Sequence, residues 1–315
     1  MPMSGGVAAI DENSAPADPP RFLDPNIDRS RVVVAAVVTL LISRLPEIVA
    51  REVLHLEVPW IAAAIVALTI VLWLAARVVP ALRPLERFLA VMVAVNLLVA
   101  VVPWLLESSM WKSLVPDSTA PMAALLATRI LLAVLGLLVL GWAVLLGASR
   151  REVYAVAGDL NAQTTTRRKD GTYLRWSRFG PVVMVFLILL MAWFGFPLLP
   201  ASFDLAAAAP AIALGVIAAL LNAWWEETAF RAAPLSMLQR AVGPGAGVLI
   251  LALYFGVGHF YGGVPSGPMG LVATGAVAVL LGRAMIETRG LGWPIALHFS
   301  IDLVIFTFLA IASVA

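Results

Sequence analysis

Apolar residues fill this chain in nine long blocks, separated by short polar stretches. The blocks cover residues 32–50, 58–76, 88–106, 122–147, 181–199, 205–227, 245–261, 270–283 and 293–314. Most approach the roughly 20 residues that a helix needs to cross a bilayer. They are far longer than strands, and turn residues bound them. The pattern predicts an all-α, polytopic transmembrane helical bundle of eight to nine spans. The eighth block is short for a span, which predicts either an earlier start or burial among its neighbours. The first block carries Arg44 and Glu47. It gives nine spans if it crosses and eight if it is re-entrant or lies in the interface.

Composition agrees with the pattern. Apolar residues make up 62% of the chain and charged residues only 13%, against about 45–50% and 25% in soluble domains. The absence of cysteine removes disulfides, Fe–S clusters and thiol nucleophiles from consideration. Heavy use of Ala, Val, Leu and Arg, with Lys112 and Lys169 the only lysines, points to a GC-rich bacterial genome and a bacterial plasma-membrane protein. Residues 1–30 are polar, with prolines and acids. They lack the basic-then-apolar order of a signal peptide and read as a disordered cytoplasmic tail.

The charges sit in alternate loops. One set holds Arg29, Arg31, Arg77, Arg83 and Arg87, then seven basic residues between Arg150 and Arg178, then Arg240 and Arg289. The other holds Arg51 and Lys112 among acids. The positive-inside rule then places the N-terminus in the cytoplasm. The basic loop reads as an anchor on anionic lipid, or as a contact for an acidic or lipidated substrate. It carries no pattern of nucleic-acid readout. It also divides the chain into a four-helix membrane region over residues 31–148, a loop over 149–179 and a C-terminal unit over 180–315.

That C-terminal unit holds the candidate chemistry. Glu226, Glu227 and Arg231 lie at the end of the sixth block, His259 in the seventh, and His298 with Asp302 in the ninth. A charge at the centre of a membrane helix costs about 2.5–3.5 kcal/mol on insertion scales, so such residues pair, face a wet cavity or do chemistry. Glu227 and Arg231 are four apart on one helix face and can neutralise each other. Glu226 lies about 100° around the helix and is left free as a base. Asp302, four residues past His298, is placed to fix the imidazole tautomer or to act as a direct ligand. His259 and His298 can hold a divalent metal with Glu226, a catalytic zinc set, or they can stabilise an oxyanion directly. Both remain open from the residues alone. The types are those of peptide hydrolysis with Glu226 activating a water. A transporter also places Glu, Arg and His inside the membrane.

The three motifs resemble those of the CAAX-protease and bacteriocin-processing family of intramembrane peptidases. That family carries Glu-Glu-x-x-x-Arg, Phe-x-x-x-His and His-x-x-x-Asn or Asp. Here these are Glu226-Glu227 with Arg231, Phe255 with His259, and His298 with Asp302. The resemblance covers roughly residues 180–315. It implies an intramembrane metalloendopeptidase with Glu226, His259, His298 and Asp302 in the active site. Glu227, Arg231 and Phe255 are then structural. The implied partners are membrane lipid and a peptide or protein substrate, lipidated in the eukaryotic relatives. A non-proteolytic member of the same fold, serving as an immunity factor or scaffold, is the alternative.

The depths of these residues constrain the helices. Glu226 falls near the end of its block, whereas His259 lies about 21 Å into its own helix at 1.5 Å per residue. The two agree better if the sixth helix continues through Arg231 to Gln239, with a kink at Pro234.

Overall fold

The structure, a computed structural model, describes residues 27–262 and 265–315. Most of the expected N-terminal tail lies outside them. Residues 29 and 30 already belong to the first helix, which Asp28 caps by accepting from the amides of Ser30 and Arg31.

Helices dominate. In order they are α1 (Arg29–Leu41), α2 (Leu45–Ile48), α3 (Ile61–Ala75), α4 (Glu86–Glu107), α5 (Ser109–Leu114) and α6 (Pro121–Leu145). After a hairpin of β1 (Gln163–Arg167) and β2 (Tyr173–Arg175) come α7 (Trp176–Gly195), α8 (Leu205–Glu226), α9 (Ala233–Val242), α10 (Pro244–Gly258), α11 (Gly267–Thr288) and α12 (Gly292–Ala312). Each of the nine apolar blocks forms a helix. Among the described residues six helices are long and apolar enough to cross a membrane, or seven if the α1–α2 pair, bent by 57°, is one span. α3 and α10 are shorter, at 15 residues each. The eighth block starts early, as α11, and has full length.

The sixth helix does continue. α8 and α9 form one rod, Leu205–Val242, joined by a π-helical turn over Glu227–Ala232. Pro234 accounts for the widened turn. It donates no hydrogen bond, and its ring crowds the carbonyl four residues back. Thr228 Oγ1 takes up the carbonyls of Trp224 and Trp225 at 2.8 and 3.0 Å. The expected kink is thus a π turn that carries Glu227 and Arg231.

The C-terminal helices pack closely. α12 lies along α8 and α7, and α10 along α11. At Gly256 a Cβ would collide with the Leu271 carbonyl, so glycine there allows the α10–α11 approach. The N-terminal helices are not free of buried polarity. Asn96 donates to the Ile42 carbonyl and to Thr69, both at 3.0 Å, and accepts from the Tyr254 hydroxyl at 2.7 Å. This ties three N-terminal segments to α10.

The long basic loop is folded where it meets the bundle. The buried Glu287 carboxylate of α11 accepts from the Thr165 amide and hydroxyl, at 2.8 and 2.5 Å. It also accepts from Trp176 and Arg283, both at 2.7 Å. One carboxylate therefore pins the hairpin and the start of α7.

Candidate active site

Three helices and the π turn supply the site. α8 brings Asn222 and Glu226, the π turn brings Glu227 and Arg231, α10 brings Phe255 and His259, and α12 brings His298 and Asp302. All seven sequence-predicted residues gather in one place.

His259 owes its position to the early end of α10. The helix stops at Gly258, and the His259 amide turns back to Gly256 and Val257. The Phe255 carbonyl is thereby left without its intrahelical donor. The His259 Nδ1 lies 2.9 Å from it. A carbonyl only accepts, so Nδ1 carries the proton. This explains the Phe-x-x-x-His spacing in physical terms. The Phe255 ring packs on the imidazole, with centroids 4.3 Å apart. The Arg231 guanidinium lies 5.2 Å from the same ring.

His298 is held from the other side. Its Nδ1 lies 2.8 Å from Glu227 Oε1. Glu227 also pairs with Arg231, and both are almost fully buried. An arginine-paired carboxylate accepts, so the His298 Nδ1 donates. Asp302 does not fix this tautomer, contrary to the expectation from its spacing. It sits 3.6 Å from Nε2 and accepts from the Asn222 amide at 2.9 Å. One turn along α12 brings the Asp302 carboxylate beneath the ring's far nitrogen, and the π turn delivers Glu227 to the near one. Glu227 is therefore more than the partner of Arg231: it positions a histidine.

With both Nδ1 atoms committed, the two Nε2 atoms point to a common place. Glu226 Oε2 faces them at 3.9 Å from His259 and 3.6 Å from His298. Asn222 steadies the other carboxylate oxygen at 3.2 Å. Glu227 pairs with Arg231, whereas Glu226 has no arginine partner among the described residues. Separations above 3.5 Å are those of groups that share a bridging water. Two imidazoles with anchored tautomers and one carboxylate also match a catalytic zinc set in kind. Tetrahedral ligands about 2.0–2.1 Å from a metal lie closer together, roughly 3.3 Å apart. Among the described residues no group of three or more such side chains is gathered tightly enough to hold a metal ion as it stands.

Two residues outside the predicted set belong here. Asn222 lies one turn before Glu226 in an Ala- and Leu-rich helix. Arg129 is the lone charge in the block that became α6. It lines the same cavity, of about 430 Å³, as Asn222, Glu226, His259, His298 and Asp302. A polar residue isolated in an apolar block was the available signal for both. A second cavity of about 430 Å³ is walled almost entirely by apolar residues of α7, α11 and α12. Met191, Ala273, Ile305 and Leu309 line both.

Apolar helices long enough to cross a membrane define a multi-pass membrane protein, and its histidines and carboxylates meet inside the bundle. Residues 207–304 match the family model described as type II CAAX prenyl endopeptidase Rce1-like. The match covers every residue of the three motifs and agrees with the family their spacing resembles. No curated protein and no solved structure matches the chain.

Proposed function

We propose that this protein is an intramembrane endopeptidase that hydrolyses a peptide bond with a water activated by Glu226. The carrying observation is the convergence of Glu226 Oε2 on two imidazole Nε2 atoms whose opposite nitrogens are both anchored. In this reading Glu226 takes the proton of the attacking water and passes it to the leaving amine. His259 and His298 face the carbonyl oxygen as it gains charge. Asn222 and Asp302 orient Glu226, and Glu227 with Arg231 orients His298. Glu226, His259 and His298 would hold a divalent ion such as Zn2+ only after drawing closer together, and the ion would then supply a more acidic water.

The family name supplies a substrate class, a prenylated CAAX protein, and the apolar cavity beside the site supports a lipidated chain. Its volume is in the range of small-ligand pockets. We place the N-terminus in the cytoplasm of a bacterial plasma membrane from the distribution of arginines. The site then opens toward that side or laterally to lipid. The test compares protein N- and C-termini across cells carrying wild type or Glu226→Gln at matched expression. New termini that vanish in the variant are expected, and His259→Ala and His298→Ala should behave alike. Identical termini, with the cellular phenotype intact in both strains, would replace this reading with a same-fold scaffold or immunity role. Solute flux in liposomes without new termini would point to a carrier.

A further inference from the structure

Arg129 is a cation inside the membrane region that the hydrolytic reading leaves without a task. Its height in the bundle follows from packing. Gly136 of α6 faces Trp225 and Thr228 of the α8 rod, and Met122 of α6 faces Gly215. The two helices therefore run parallel, and Arg129, midway between Met122 and Gly136, stands level with Asn222. That is the residue whose amide bridges Glu226 and Asp302.

Arg129 is half-buried, and its surroundings are unusual for an arginine among apolar helices. Its Nε is buried and makes no hydrogen bond among the described residues. The group it packs on is the Phe306 ring, 5.5 Å from Cζ, and not a carboxylate. Arg129 also lines the cavity of Glu226 and His298. The other arginine of this region, Arg231, is consumed by Glu227. Arginine stays charged in proteins, and its planar fork matches a carboxylate with two parallel hydrogen bonds. Among the described residues no carboxylate lies within 4.0 Å of Arg129, and the site acid that feels its charge, Asp302, lies across the cavity; a cation so placed can take an anionic group of the ligand.

We propose that Arg129 binds the C-terminal carboxylate of the peptide substrate, so that the cavity accepts a chain end rather than a chain middle. This rests on the peptidase reading for the identity of the ligand but not for the binding itself. With the carboxylate on α6 and the scissile bond at Glu226, only a short peptide end fits within about 430 Å³. The first half of the chain then contributes a specificity residue to a site otherwise built by the second half.

The experiment uses the full chain in lipid nanodiscs and one prenylated peptide ending in Cys-Ala-Ala-Met, made as the free acid and as the C-terminal amide. Binding is measured in the Glu226→Gln background, where turnover does not interfere. A charge-assisted contact predicts tighter binding of the acid by on the order of 10- to 100-fold. Adding Arg129→Gln should bring the acid-to-amide ratio to about one, and Arg129→Lys should keep part of the preference, as a charge without the fork. Equal binding of acid and amide, an acid preference that survives Arg129→Gln, or no binding of either probe would overturn the proposal. The acid-against-amide comparison needs no substitution at Arg129, so poor folding of that variant does not protect the idea. An Arg129-dependent preference with no cleavage by the wild type would keep the carboxylate site and remove the peptidase reading. Cleavage of both probes without preference would do the reverse.

Discussion

The Glu227–Arg231 pair offers the sharpest test of how the site is built. Both side chains are almost completely buried, and Glu227 serves a second partner in His298. Removing one member of a buried ion pair leaves the other charge stranded and costs about 3–5 kcal/mol. The two single variants should differ. Arg231→Met leaves Glu227 with the His298 N–H, so it belongs at the lower end. Glu227→Gln leaves Arg231 over the Phe255 ring with a neutral amide beside it, so it belongs at the upper end. At roughly 2–4 °C per kcal/mol for larger domains, the singles should lose about 6–20 °C in melting temperature. The double variant Glu227→Gln/Arg231→Met removes both charges together and should melt above either single. Thermal unfolding of purified protein in a mild detergent, followed by helix content, measures all four. Additive losses in the double variant, or singles that melt with the wild type, would refute the claim that this pair is a coupled support of the site.

Three further outcomes follow from other parts of the chain. Glu287→Leu strands the donors of Thr165, Trp176 and Arg283, so the β1–β2 hairpin should detach and limited proteolysis within residues 163–175 should become rapid while the bundle stays folded. The Glu152 carboxyl lies below its ordinary range, held first by the Ser149 amide and hydroxyl and then by the charge of Arg240. A lowered folded value means that its contribution is present above the ordinary value of 4.5 and fades as pH falls through the folded one. The Glu152–Arg240 contact, 2.7 Å, should therefore persist at neutral pH. The acid limb of the melting profile should flatten in Glu152→Gln, and an unchanged limb would remove the linkage. Third, if Glu226 is the base, Glu226→Gln should lower turnover by about 10²–10⁴-fold without moving the melting temperature much, since Asn222 can still bond the new side chain.

The sequence made the helices legible because a membrane span needs an unbroken apolar run, and all nine runs became helices. It also exposed the site, because an ionisable residue in such a run has few structural uses. Glu226, Glu227, His259 and His298 all stand where charge in an apolar block directed attention. The division of labour between the acids was less visible. Spacing on one helix paired His298 with Asp302, but the shorter contact came from Glu227 on another helix, through a π turn whose wider pitch no periodicity announces. Asn222 and Arg129 escaped notice for a related reason. Each is an uncharged amide or a lone charge in a largely apolar stretch, and only packing shows that α6 and α8 bring them to the same height. The hairpin was hidden because its anchor, Glu287, lies more than a hundred residues away from Thr165.

α10 has one more consequence, which concerns the lipid rather than the protein. Its 15 residues span about 22 Å, some 8 Å less than a typical hydrocarbon core. A shortfall of this kind is met by local thinning of the bilayer or by water reaching the helix end. If that end is the one at His259, the short helix would place a local depression of the bilayer beside the reactive groups and bring water closer to them than a full-length span would. Turnover should then depend on acyl-chain length, falling in bilayers of longer lipids that resist the depression. Equal rates in short- and long-chain vesicles would show that the bundle alone keeps the site wet.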